Sequence, residues 1–178
     1  VPDLPYTVDH WANGDAIVEL VAKLEAGALG LAPVERSRLV LIGTSAGGLA
    51  TLLASAQLPG IAGWIGLDPV DRTGTGSEAA SRMDAPAVVM LGESSGCNLF
   101  GSGRSIARAL PRPLRNSRID GASHCDFEAP TNNFCRVMCG GASAELQEQI
   151  RHETVNATLE LLALPVNHEF TRDRVGAP

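Results

Sequence analysis

The sequence predicts an α/β fold built on an open, mostly parallel sheet with helices on both faces. Three observations lead there. Short apolar runs recur between glycines, as strands buried on both faces require. Segments with apolar residues at helical spacing lie between them, and the two kinds alternate along the chain. Such alternation makes right-handed crossovers onto a parallel sheet the natural architecture.

The first element is an amphipathic helix from Asp15 to Ala26, with Ile17, Leu20, Val21 and Leu24 on one face and Gly27 and Gly30 as stop signals. After Pro33, the apolar run Arg38 to Gly43 reads as a buried strand, and Ala46 to Gln57 as a helix rich in small residues. Ile61 to Leu67 is the next strand and Ala87 to Leu91 a third. Ser105 to Leu110 reads as a short helix ended by Pro111 and Pro113, and Leu114 to Ile119 as a fourth, weaker strand. From Ser143 to Leu164, Leu146, Ile150, Val155, Leu159 and Leu162 keep a helical period, so this helix is expected to cover the sheet. The tail from Pro165 carries no pattern.

With 178 residues, 44% of them hydrophobic and 19% charged, one soluble domain over 1–178 is expected. A net charge of −6 without any Lys/Arg run argues against nucleic acid or an anionic membrane surface as partner. No apolar stretch approaches the roughly 18 residues of a membrane span. Cys97, Cys125, Cys135 and Cys139 form an even set in the C-terminal half; they allow three pairings, among which sequence does not choose. Disulfides there would suit an extracellular or periplasmic protein.

The chemistry centres on Gly43-Thr44-Ser45-Ala46-Gly47, placed between a strand and a helix. A Gly-x-Ser-x-Gly turn in that context exposes a serine hydroxyl above the C-terminal edge of a sheet, and small flanking residues let strand and helix approach closely. The Ala46 N–H, at a helix N-terminus, is then a candidate oxyanion donor. A serine hydroxyl needs a base, and the base needs an orienting acid. Of the four histidines, His10 precedes the first helix, His152 lies in the last and His168 in the tail. His124 alone follows a strand, in the loop 120–127.

Gly66-Leu67-Asp68-Pro69-Val70-Asp71, just past the strand after the nucleophile helix, resembles the G-[IL]-D-P-V-D segment of chlorophyllases and related α/β hydrolases. A similar turn in pancreatic-type lipases supplies the triad acid, which implies Asp68 here. Asn98-Leu99-Phe100 and the His124 loop resemble that family's N-P-L-F-like stretch and G-H-x-D-like loop. The resemblance spans roughly residues 10 to 164 and departs from the plant chlorophyllase pattern at Gly-Thr-Ser-Ala-Gly and at Ser123. It implies a chlorophyllase-like enzyme or a general carboxylesterase or lipase, with Ser45 as nucleophile, His124 as base and Asp68 as acid. Asp71 and Glu93 are the alternative acids, whereas Asp126 reads as a loop cap.

The expected reaction is hydrolysis of a small-molecule or lipid-like ester through an acyl-enzyme, without a cofactor or metal. Trp64, Leu99, Phe100 and Phe127 are candidates for an apolar substrate pocket. Hydrolases of this type place several strands before the nucleophile strand, and one of the following loops gives the second oxyanion donor. Only about 37 residues precede Arg38, with one helix and no strand. The chain is therefore expected to be the C-terminal part of an α/β-hydrolase-type fold with the N-terminal strands missing. It carries the nucleophile elbow at 43–47, the acid loop at 66–71 and the histidine loop at 120–127. A missing N-terminal segment or a partner chain would complete the sheet.

Three rival readings follow from the same residues. Gly43-Thr-Ser-Ala-Gly47 with Asp120-Gly-Ala122 resembles the G-T-S-A-G and D-G-A motifs of patatin-like hydrolases with a Ser-Asp dyad. That fold's glycine-rich oxyanion segment is absent upstream. His124, Cys125, Cys135 and Cys139 could instead ligate zinc in a non-enzymatic domain, although paired C-x-x-C hooks are lacking. A dinucleotide-binding loop is weaker, because Gly43 to Gly48 lacks G-x-G-x-x-G spacing.

Overall fold

The computed structural model describes residues 4–6, 9–131 and 133–165, with Phe134 described by its backbone alone. Its elements in chain order are α1 (His10–Glu25), β1 (Val40–Thr44), α2 (Ser45–Ser55), β2 (Gly63–Leu67), α3 (Thr75–Ser81), β3 (Ala87–Leu91), α4 (Gly103–Ala109), β4 (Pro113–Arg118), α5 (Asn133–Cys139) and α6 (Ala144–Ala163). The four strands form one parallel sheet in the order β1-β2-β3-β4. When each strand adds to the same side of its predecessor, same-handed crossovers must all run over one face. This accounts for the two layers. Residues of α1, α2, α3 and α4 share one core with Trp64, Ala87 and Val89, while Ile150, Ala157 and Leu161 of α6 pack with Ile65, Val88 and Met90 on the other face.

The alternating side-chain direction of a strand decides this division. β2 is buried at every position because both faces are covered. β1 is less buried, with Ile42 40% exposed, and its outer edge has no strand partner among the described residues.

The elements expected from sequence form, with shifted ends. α1 begins at His10 rather than Asp15: Asp9 accepts from Ala12 N at 2.9 Å as N-cap, and Gly14 sits inside the helix where a Cβ would stand 3.0 Å from Leu53 Cβ of α2. Close helix packing explains a glycine that otherwise reads as a boundary. In α6 the buried stripe is Ile150, Ala157 and Leu161, with Leu146 packed against it, whereas Val155, Leu159 and Leu162 are exposed. Two apolar stripes thus run along that helix, and only one meets the sheet. α3 and α5, of seven residues each, are too short for a helical period to stand out and were not expected. Asp71 caps α3, its carboxylate accepting from Gly76 N at 2.9 Å and Ser77 N at 3.0 Å. α5 is held by disulfides Cys97–Cys139 and Cys125–Cys135. Disulfides are compatible with an oxidising, extracellular-type environment. Among the described residues, no helix is long and apolar enough to cross a membrane.

Candidate active site

Register places the site. Thr44 pairs with Leu67, and Leu67 with Met90, so the C-terminal ends of the three strands lie level. Ser45 follows β1 directly, Asp68 follows β2 directly, Gly92 follows β3, and His124 opens a short 3-10 turn, His124–Phe127, after β4. Four strand ends thereby converge on one edge of the sheet, the usual ligand side of a parallel α/β sheet.

At the turn from β1 into α2, Ser45 adopts φ 54°, a left-handed conformation that costs a non-glycine residue energy. The turn is tight enough that a Cβ at Gly43 would fall 2.3 Å from the Gly47 carbonyl oxygen. A Cβ at Gly47 meets nothing within 4 Å, and it is Gly48 whose Cβ would press on Pro69, at 2.9 Å. The close approach therefore depends on Gly43 and Gly48, and the second glycine of the sequence motif is not the one in contact.

His124 is 8% exposed and bridges two side chains. Its Nε2 lies 2.9 Å from Ser45 Oγ and its Nδ1 lies 2.6 Å from Asp68 Oδ2. A carboxylate only accepts, so Nδ1 carries the proton, and Nε2 of the neutral ring is left to accept from the Ser45 hydroxyl. Asp68 is 1% exposed, with its own backbone at φ 41°. Its Oδ1 accepts from Gly92 N at 3.0 Å, and its Oδ2 accepts from Asn98 Nδ2 at 3.1 Å. A buried carboxylate needs such donors in place of lost water. Gly92 can approach because it has no Cβ: one would stand 2.8 Å from the Ala122 carbonyl oxygen.

The other acids point elsewhere. Asp71 serves the N-terminus of α3 and also accepts from Ser105 Oγ at 3.0 Å. Glu93 is half-buried and pairs with Arg118; that guanidinium and the Gly121 N–H hold its carboxyl below the ordinary glutamate range. Asp126 accepts from Ser123 N at 2.7 Å and Ser143 N at 2.6 Å, tying its loop to the start of α6. Asp120 is exposed in the turn after β4. Ala46 is the second residue of α2, where first-turn N–H groups lack acceptors within the helix.

A cleft of about 640 Å³ opens beside Ser45 and His124, with Gly96, Glu128, Met138 and both disulfides among its walls. The expected apolar pocket is corrected here. Trp64 is fully buried on the α2 side of the sheet and donates its indole N–H to Thr51 Oγ1 at 3.0 Å. Phe127 is buried in the core under α6. Strand alternation and loop direction turn both rings away from the cleft. Leu99 and Phe100 are exposed on the turn whose Gly96 and Cys97 line it. The zinc reading also changes: all four cysteines are paired with one another, and both His124 nitrogens are engaged. His10 opens α1, His152 is exposed on α6, and His168 lies outside the described residues. Sequence reasoning missed two contributions. One is α5, which brings Met138 to the cleft; the other is the hydrogen bond from Asn98 to Asp68, since the N-P-L-F-like stretch marked Asn98 without giving it a role.

No protein-family model matches the chain, and no curated protein matches it. Solved structures do. The dienelactone hydrolase from Anabaena variabilis superposes with a TM-score of 0.56 at 18% identity, covering 83% of this chain and 59% of that one. A dienelactone hydrolase-like promiscuous phosphotriesterase from metagenomic libraries superposes with a TM-score of 0.59 at 14% identity, covering 85% and 61%. The chain thus spans about three fifths of the length of these neighbours. At such identities the likeness concerns architecture, and it agrees with the parallel sheet and its flanking helices: the chain has the α/β-hydrolase fold.

Proposed function

We propose that the protein is a serine hydrolase that cleaves carboxylic esters through an acyl-enzyme on Ser45. The observation that carries this reading is the continuous hydrogen-bonded line from Asp68 through His124 to Ser45 at the C-terminal edge of the sheet. Ser45 Oγ attacks the ester carbonyl carbon while His124 Nε2 takes its proton. The negative charge that gathers on the carbonyl oxygen faces the N-terminus of α2, where the Ala46 N–H donates. The C–O bond to the alcohol then breaks and His124 returns the proton to the leaving oxygen. Water, deprotonated by His124, attacks the acyl carbon; the acid leaves and Ser45 recovers its hydrogen. Asp68 holds the ring in the tautomer this sequence needs and stabilises the imidazolium formed in between.

The cleft favours an apolar group next to the reacting carbonyl, because Met138 and two cystines contribute to its walls. A general carboxylesterase acting on small or lipid-like esters is the reading; the segment Gly66 to Asp71 is what ties it to the chlorophyllase-like and lipase branches. The second oxyanion donor, in this reading, comes from a partner segment or chain packed beside β1, whose outer edge has no strand partner among the described residues. Turnover of p-nitrophenyl esters of increasing acyl length tests the assignment. Hydrolysis that vanishes in Ser45→Ala and His124→Ala supports it, and turnover that survives either change contradicts it.

A further inference from the structure

We propose that Asn98 is a positioning residue for this hydrolysis, acting by aiming the Asp68 carboxylate at His124; the proposal rests on the Ser45, His124 and Asp68 reading. Asn98 is fully buried, and every polar atom of its side chain is used. Its Oδ1 accepts from Ser95 N and from Gly101 N, each at 2.9 Å. Its Nδ2 donates to the Glu93 carbonyl oxygen at 2.8 Å and to Asp68, at 3.1 Å from Oδ2 and 3.4 Å from Oδ1.

The two backbone N–H groups settle which way the amide faces. Flipping it would set Nδ2 against two donors and Oδ1 against a carboxylate, so the NH₂ must point at Asp68. Asp68 Oδ2 then accepts from His124 Nδ1 on one side and Asn98 Nδ2 on the other, while Gly92 N holds Oδ1. These contacts fix the carboxylate plane. Without Asn98, the buried oxygen facing His124 loses a donor and a steric stop, and the carboxylate can turn about its last bond. The turn is itself anchored. Cys97, the preceding residue, is bonded to Cys139 at the end of α5, and Leu99 and Phe100 follow in left-handed backbone, at φ 51° and 57°. Such a conformation persists only where the surroundings over-determine it.

Asn98→Asp separates aiming from holding the turn. Aspartate keeps an oxygen where Ser95 and Gly101 donate, yet replaces the donor facing Asp68 with an acceptor, and two adjacent buried carboxylates cannot both carry charge cheaply. With native near-UV circular dichroism as the fold control, kcat on p-nitrophenyl butyrate is expected to fall by roughly 10²-fold or more, with KM within about 3-fold. A folded variant whose kcat stays within about 3-fold overturns the proposal. If Asn98→Asp fails to fold, Asn98→Ala removes the donor without adding charge and is read against the same two outcomes. Asp68→Asn in the same assay tells the two ideas apart. Loss there with near wild-type turnover in the Asn98 variant overturns the positioning role alone; full activity in Asp68→Asn overturns both.

Discussion

Ser45 and Asp68 reach opposite nitrogens of one imidazole from backbones that share a left-handed conformation, at φ 54° and 41°. Neither is glycine, so each position stores strain that the ends of β1 and β2 hold in place. That strain predicts an asymmetry among inactive variants. Ser45→Gly should be more stable than Ser45→Ala by about 1 kcal/mol, because only glycine adopts positive φ without a Cβ penalty. Urea unfolding measures the difference; equal midpoints would mean the turn relaxes on substitution.

The competing carboxylates predict unequal losses. Asp68→Asn should lower kcat by about 10³- to 10⁴-fold through the wrong histidine tautomer. Glu93→Gln should leave kcat at neutral pH within about 2-fold, since the half-buried Glu93 is turned to Arg118 rather than to His124. Its carboxyl is held below the ordinary range by that partner, so its small stabilisation is present above the unfolded-state pKa. It is lost as pH falls through the lower folded value. Acid unfolding of Glu93→Gln beside the wild type checks this, and a large loss of turnover in Glu93→Gln would move the acid role away from Asp68.

The elbow glycines predict opposite outcomes for one substitution. Gly43→Ala forces a Cβ to 2.3 Å from a carbonyl oxygen and should cost several kcal/mol or prevent folding, while Gly47→Ala enters open space within a helix and should stabilise by about 0.5–1 kcal/mol. Thermal unfolding of the two variants decides it.

The disulfides predict a stability order. Cys97–Cys139 spans 42 residues and Cys125–Cys135 spans 10, so the chain-entropy model assigns them about 4 and about 3 kcal/mol. Paired Cys→Ser variants, compared by urea unfolding, measure the order. Because Cys125 directly follows His124, loss of the shorter bridge should also lower kcat/KM, and an unchanged value would show that the histidine loop holds without it.

Much of this architecture was legible in the sequence. Buried parallel strands are apolar throughout, so Ala87 to Leu91 showed its full extent; Ser45 and His124 stood out because each follows a strand, and the resemblance of Gly66 to Asp71 implied Asp68. What could not be read depends on distance across the fold. Position along the chain alone left Asp71 and Glu93 as alternatives to Asp68, and only the direction of each side chain turns Asp68 to His124 and the others to α3 and Arg118. Cysteine pairing is likewise a matter of proximity. Trp64 and Phe127 suggested a pocket by their chemistry, but the strand pleat sends Trp64 into the core and the loop sends Phe127 under α6. Asn98 stands in the N-P-L-F-like stretch, but its link to Asp68 is visible only once its four partners surround it.

The central claim is that Ser45 is a nucleophile made reactive by His124, and covalent labelling addresses it most directly. A fluorophosphonate probe, followed by peptide mapping, should place one adduct on Ser45, and His124→Ala should slow that labelling by at least about 10³-fold. An adduct on another residue, or labelling of Ser45 that proceeds unchanged without His124, would contradict the account.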